Sequence, residues 1–162
     1  MKILHLNEHL ALKGGVETYL FSAIPLLEER GIESQVVYSE GNSSFFSDAH
    51  HLPLLGKIGF TRNAPAGNQI ETVLSAEKPD IIHIHNVQNT GIIQQSLEYG
   101  PTVVTTHDYR WICPANSFFY KNTQEICTRI CGPGCFTTTL SKHCLTPRPN
   151  YALNFYHRAK WT

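Results

Sequence analysis

Polar residues that could bind a ligand or move a proton follow three short apolar runs of the sequence. These residues are Gly14, Gly15, His85, Asn86, His107 and Asp108. A glycine loop before a helix lets backbone N–H groups approach a phosphate, and imidazoles take up and release protons near neutral pH. If the three runs are strands of one parallel sheet, the polar groups meet at its carboxyl edge, where such sheets bind ligands. We therefore predict a crevice there, with His107 as the catalytic candidate.

Each of these motifs also has a structural interpretation. Gly14 and Gly15 could simply form a tight turn, and they do not complete the Gly-x-Gly-x-x-Gly fingerprint of dinucleotide-binding sites, which disfavours a nicotinamide dehydrogenase. His83 and His85 alternate along one predicted strand and point to the same face. We expect His83 to satisfy nearby backbone groups more often than to touch a ligand. The convergence of polar residues at three strand ends is therefore stronger evidence for a ligand site than any one of these motifs.

Five cysteines form a second constellation. They are Cys113, Cys127, Cys131, Cys135 and Cys144, and the first 112 residues contain none. Their number is sufficient for a tetrahedral structural zinc site or an iron–sulfur cluster. Free thiols packing a loop are the second interpretation, and disulfides the third, because five thiols leave one over. A zinc held by these cysteines is the metal we expect first.

The elements that must position these groups follow from apolar spacing. Strands are predicted at residues 3–6, 35–39, 80–86 and 102–106, and helices at 16–30, 69–76, 92–99 and 151–161, with residues 40–68 as loop carrying one or two short helices. Strands that alternate with helices predict an α/β fold with a Rossmann-like parallel sheet and helices on both faces. We expect one such domain over residues 1–162, with a Cys-rich insert at about 109–148.

Composition limits the classes of partner. Thirteen basic residues balance thirteen acidic ones, so net charge gives no reason to expect nucleic acid as a partner. No apolar run approaches the roughly 20 residues of a membrane helix, and the N-terminus does not resemble a signal peptide. We therefore expect a cytoplasmic protein, with peripheral contact to a membrane left open.

Three motifs together carry a resemblance to a known family. Gly14-Gly15-Val16-Glu17 is followed by the segment at residues 78–86, Lys-Pro-Asp-Ile-Ile-His-Ile-His-Asn, and then by Thr-Thr-His-Asp-Tyr at 105–109 with Cys-Pro at 113–114. In this order and spacing they resemble the N-terminal domain of glycosyltransferase family 4, the group 1 enzymes with the GT-B fold. The resemblance covers residues 2 to about 160.

The resemblance implies an activity. Such enzymes transfer a sugar from a nucleotide sugar to a glycan or lipid-linked acceptor, with retention of anomeric configuration and without a catalytic metal or other cofactor. By analogy, Gly14 and Gly15 approach the donor diphosphate, His107 lies near the transferred sugar, and His85, Asn86 and Asp108 line the same crevice. The second domain of these enzymes grips the donor. The resemblance therefore implies that this chain is inactive alone and could self-associate through an uncovered face.

Two other functions fit some of the residues. His83, His85, His107 and Asp108 could hold the metal of a hydrolase. Alternatively, aromatic residues of the Cys-rich insert could make a non-catalytic module that binds carbohydrate or protein, although the same rings could form the small core of the insert itself.

Overall fold

A computed structural model of the chain describes most of its first 144 residues. The described residues are 1–12, 14–42, 44, 46, 48–56, 65–109, 112–113, 115, 117–130, 132 and 134–144, with the backbone alone at 65–68, 136 and 140. The chain forms two compact units, Met1–His107 and Asp108–Thr162. We call them the sheet unit and the insert unit. The predicted helix at 151–161 and Cys131 lie outside the described residues.

The sheet unit is a five-stranded parallel sheet with three helices. Its elements are β1 (Lys2–Leu10), α1 (Gly15–Glu28), β2 (Glu33–Gly41), β3 (His50–His51), α2 (Pro65–Glu77), β4 (Ile81–Ile84), α3 (Thr90–Tyr99) and β5 (Thr102–Val104). The strand order is β3-β2-β1-β4-β5, and every neighbouring pair is parallel. The predicted Rossmann-like α/β class is confirmed.

Two apolar cores cover the two faces of the sheet, because alternate residues of each strand point in opposite directions. Leu4 and Leu6 of β1 and Ile82 and Ile84 of β4 belong to one buried cluster, which includes side chains of α2 and α3. A second buried cluster joins α1 to β2 through residues such as Leu20, Ile24, Val36 and Tyr38. Helices therefore lie on both faces, as the sequence predicts.

Local sequence signals explain where two of the helices stop or start. Gly31 follows α1 with a φ of +73°, a left-handed conformation that favours glycine. Asn89 caps α3, where its side chain accepts hydrogen bonds from the backbone N–H groups of Gly91 and Ile92. Such a cap stabilises a helix by about 1 kcal/mol.

The strands differ from the prediction in two respects. The strand β3 was not predicted, because its two residues, His50 and His51, carry no apolar signal; they pair with Val37 and Tyr38 of β2. The strand β1 also continues past Leu6 to Leu10. Its polar continuation stays extended because it pairs with β2, as between His9 and Glu40. Pairing with a neighbour thus overrides a weak local pattern.

The insert unit has short elements. An antiparallel pair, β6 (Phe119–Tyr120) and β7 (Glu125–Ile126), precedes the helix α4 (Gly134–Lys142). Across the described residues of both units, no helix has the length and apolar character needed to cross a bilayer.

Candidate functional site

The carboxyl edge of the sheet brings two of the predicted histidines into contact. His85 follows β4 and His107 lies beyond β5, and the Nδ1 atom of His85 is 3.0 Å from the Nε2 atom of His107. Tyr19 of α1 lies against both rings, with its centroid 5.7 Å from that of His107 and 5.8 Å from that of His85. His107 is half-buried, whereas His85 has no exposed surface. His107 is therefore the ring accessible from the crevice, and the buried His85 contacts it from the interior.

His5 extends this pair into the interior and was not predicted to belong to the site. Its Nδ1 atom lies 3.4 Å from the Nε2 atom of His85, and its ring is 1% exposed. The register of the sheet pairs His5 of β1 with His83 of β4. The signal was present in the sequence, because His5 stands between Leu4 and Leu6 and so must face away from the core that they form.

Burial keeps the inner histidines uncharged. Burial, with a smaller effect of His83, lowers the pKa of His5 from 6.5 to about 4. Burial, reinforced by the three neighbouring imidazoles, lowers the pKa of His85 to about 2. The pKa of His83 is also lowered, first by burial and then by His107. Near neutral pH, His5 and His85 therefore each carry one N–H and one lone pair.

His83 has a partner of its own. Its Nε2 atom is 2.7 Å from the hydroxyl oxygen of Thr105. Its ring also packs on that of His85, with centroids 4.0 Å apart. The expected partner for His83 was a backbone group, and the structure gives it a side-chain hydroxyl instead.

The start of α1 is tied to the end of β4 through buried polar side chains. Asn7 donates from its side-chain nitrogen to the carbonyl of His9 at 2.7 Å and to the Glu17 carboxylate at 3.5 Å. Its side-chain oxygen accepts from the backbone N–H of Asn86 at 3.4 Å. Asn7, Glu17 and Asn86 are all buried. Asn86 is thereby positioned by its backbone, and Glu17 brings a carboxylate to the first turn of α1.

The two glycines before α1 have different surroundings. A Cβ atom on Gly14 would lie 2.9 Å from a carboxylate oxygen of Glu17, whereas one on Gly15 would meet no atom of the described residues within 4 Å. Gly14 therefore leaves room for Glu17. Gly15 faces open space, so a ligand could approach the backbone there, where the helix N-terminus favours an anion.

Four of the five cysteines lie around one small cavity of the insert unit. The cavity has a volume of about 30 Å³, and Cys113, Cys127, Cys135 and Cys144 line it with Arg129. None of the four forms a disulfide with another described cysteine. Burial, and then the nearby sulfurs of Cys127 and Cys113, raises the pKa of Cys144. The disulfide interpretation is thus not met among the described cysteines.

A different set of side chains meets a stricter test for a metal site. In the described part of the chain, His5, His83 and His85 alone form a group of three or more ligating side chains whose ligand atoms all lie within 4.8 Å of one another. No three of the described cysteines meet this criterion. The group contains neither His107 nor Asp108, which the hydrolase hypothesis requires, and it has no carboxylate.

Comparison with known proteins identifies a family. A family model described as Glycosyltransferase Family 4 matches residues 13–139. The matched segment includes the glycines before α1, His85, His107 and four of the five cysteines. No curated protein sequence matches the chain.

Proposed function

The chain belongs to glycosyltransferase family 4, and from this premise we propose that it is the acceptor-side domain of a retaining hexosyltransferase of the GT-B type. Its substrates are a nucleotide sugar and a glycan or lipid-linked acceptor. The observation that carries the proposal is the meeting of His107, Tyr19 and the start of α1 at the carboxyl edge of the sheet, where α/β sheets bind ligands.

His107 is the group that touches the transferred sugar. Its ring is half-buried at the strand edge. The Nε2 atom of the ring contacts His85, and the ring packs against that of Tyr19. A ring fixed in this way can hydrogen-bond a sugar hydroxyl without reorganising during the reaction, which is the condition for electrostatic catalysis.

Gly15 and the N-terminus of α1 receive the donor diphosphate. The open space at Gly15 admits a phosphate oxygen to the backbone, and unpaired N–H groups at a helix start bind anions. The buried Glu17 lies on the Gly14 side. The Glu17 side chain occupies the space beside Gly14, so the phosphate approaches on the Gly15 side.

A second domain completes the donor site in this proposal. Bond cleavage leaves a nucleoside diphosphate, whose charge must be stabilised by fixed positive groups. The described contacts at His85 and His107 come from imidazole rings and from the ring of Tyr19. We place the cationic groups in that second domain and the reaction at the cytoplasmic side of the membrane.

The insert unit holds a structural zinc. The support is chemical: four cysteines line one cavity, and soft thiolate ligands select zinc. Arg129 beside the cavity would offset the negative charge of a tetrathiolate site. Binding requires the sulfurs to move closer together than they lie in the structure.

The test is sugar transfer by the whole product of the gene. Release of nucleoside diphosphate from UDP-glucose, UDP-N-acetylglucosamine and GDP-mannose is measured with and without a lipid extract as acceptor. We expect His107→Ala to reduce acceptor-dependent release by about 10²-fold or more, since a positioned imidazole contributes roughly 10²–10⁴-fold.

His51→Ala is the matched control, because His51 is exposed and contacts only β2 residues among its described partners, Tyr38 and the Ser39 carbonyl. It should retain activity. Equal rates for His107→Ala and the unmodified protein would refute the role of His107. No release from any of the three donors would refute the transferase proposal for these sugars.

A further inference from the structure

Three imidazole rings form a continuous chain from the interior of the sheet unit to the crevice. The Nδ1 atom of His5 faces Nε2 of His85 at 3.4 Å, and Nδ1 of His85 faces Nε2 of His107 at 3.0 Å. Each contact joins two ring nitrogens, so one nitrogen must donate a proton and the other must accept it. The proton positions on the three rings are therefore coupled.

Only two arrangements satisfy both contacts when His5 and His85 are neutral. In the first, the N–H groups point outward, from His5 to His85 and from His85 to His107. In the second, they point inward, from His107 to His85 and from His85 to His5. The remaining nitrogen of His5, its Nε2 atom, decides between them.

The Nε2 atom of His5 is buried and has no hydrogen-bond partner among the described residues. In the outward arrangement this atom is a lone pair. In the inward arrangement it carries a proton, which leaves a buried N–H without an acceptor. Orphaned buried N–H groups are rarer in proteins than under-satisfied acceptors, because the lost hydrogen bond is not replaced. The geometry therefore favours the outward arrangement.

We propose that His5 and His85 are positioning residues that fix the tautomer of His107, so that Nε2 of His107 accepts from His85 and its proton resides on Nδ1. The inference rests on the proposed role of His107 in sugar transfer, but it concerns residues that touch no substrate. It assigns a task to His5, which lies at residue 5 and outside the matched segment 13–139.

The tautomer matters for the reaction. With Nε2 occupied by His85, His107 acts through its Nδ1–H as a neutral hydrogen-bond donor. A sugar that loses its leaving group develops positive charge at the anomeric centre. A neutral donor can bind a sugar oxygen without the repulsion that a charged imidazolium would add. A ring that flips between tautomers would present a donor only part of the time.

A metal at the same rings is the main competing explanation. A zinc ion bound by His5, His83 and His85 would use the single lone pair of His85, which the outward arrangement assigns to the hydrogen bond from His5. The two explanations cannot both hold for His85, since its Nε2 atom cannot accept from His5 and bind zinc at the same time.

The experiment is long-range ¹H–¹⁵N NMR of the chain with ¹⁵N-labelled histidine, which reports the protonated nitrogen of each ring. Single substitutions assign the signals. We expect His107 to be protonated at Nδ1 in more than about nine-tenths of molecules, which corresponds to a preference of about 1.4 kcal/mol. The spectrum needs no activity, so its outcome is independent of the transfer assay.

Two variants of His5 separate positioning from packing. His5→Leu fills the site but removes the donor, and we expect His107 to become a mixture of tautomers, with kcat for sugar transfer reduced roughly tenfold and KM little changed. His5→Asn keeps an N–H donor near the position of Nδ1 and should restore both the single tautomer and most of kcat.

Three results would overturn the proposal. The first is His107 protonated at Nε2 in the unmodified chain. The second is an unchanged His107 tautomer in His5→Leu. The third is the binding of one equivalent of added Zn²⁺ that shifts the signals of His5, His83 and His85 together, because that would make the rings a metal site.

Discussion

The two units of the chain are stabilised in different ways. In the sheet unit, eleven buried residues form one apolar cluster and five form a second, on opposite faces of the sheet. In the described part of the insert unit, the buried side chains are Thr138 and Cys144, while Ile126 and Ile130 are 75% and 96% exposed. Hydrophobic burial stabilises the first unit, whereas in the zinc proposal a bound ion adds stability to the second.

The polar groups of the two units also differ in how closely the fold positions them. The histidines of the sheet unit sit on paired strands whose register fixes their contacts to a few ångströms. The described thiols of the insert unit line a cavity, but no three of them lie within 4.8 Å of one another. The sheet unit thus presents a preformed site, whereas the insert unit presents ligands that an ion would gather.

Removing metal is expected to have the largest effect and to act on one unit. If the insert unit binds zinc, the purified chain contains one zinc per molecule, and a chelator unfolds that unit, because structural zinc contributes about 10–16 kcal/mol of binding free energy. Metal analysis and NMR of the insert resonances measure both. Cys127→Ser with Cys144→Ser should abolish zinc binding while His107 signals persist.

A chain that purifies without metal, and whose insert resonances ignore the chelator, would contradict the zinc proposal. It would leave free thiols packing the cavity. Ser141→Ala, on the exposed side of α4, is the control that should keep both the metal and the spectrum.

A pair of isoleucines tests whether burial is confined to the sheet unit. Ile84 in β4 is 0% exposed, and Ile130 is 96% exposed. We expect Ile84→Ala to lower the free energy of unfolding by about 2–5 kcal/mol, because truncation leaves a cavity in the core. Ile130→Ala should change it by less than about 0.5 kcal/mol. Urea unfolding measures both, and a comparable loss for the two would break the contrast between the units.

Acid should destabilise the sheet unit selectively. The folded-state pKa values of His5 and His85 lie below 6.5, so the unfolded chain binds more protons as the pH falls below that value. Stability is therefore retained above about pH 6.5 and lost towards pH 4, with a slope of at most about 1.4 kcal/mol per pH unit for each of the two histidines.

Urea unfolding at pH 7.5, 6.5, 5.5 and 4.5 measures this slope. His5→Leu removes one of the two contributions and should make the slope shallower. His143→Gln, at an exposed histidine of the insert unit, should leave it unchanged. A slope that His5→Leu does not alter would mean that folding does not lower the pKa of His5.

Apolar alternation in the sequence was enough to predict the sheet. The apolar alternation in β1 and β4 and the helical spacing in α1 and α3 indicate which faces are buried. The structure buries residues of these faces in its two apolar clusters. The strand β3 escaped prediction because its two histidines owe their extended form to pairing with β2. A contact between distant segments has no local signature.

The sequence predicts the site residues at the strand ends, but it does not predict the buried residues that contact them. His107 and His85 stand beside turn signals in the sequence, so the carboxyl-edge rule brings them together. His5 is separated from His85 by 80 positions, and only the strand register shows that they touch. The roles of Asn7 and Glu17 depend likewise on tertiary hydrogen bonds.

The register between β1 and β4 determines what happens when the two strands pair incorrectly. It pairs Leu4 with Ile82 on the core face and His5 with His83 on the other. A slip by one residue would turn imidazoles into the apolar core and leucines outward. A chain that mispairs there would lose its stability together with its ring chain, so quality control that detects exposed apolar surface would also remove the molecules that lack the ring chain.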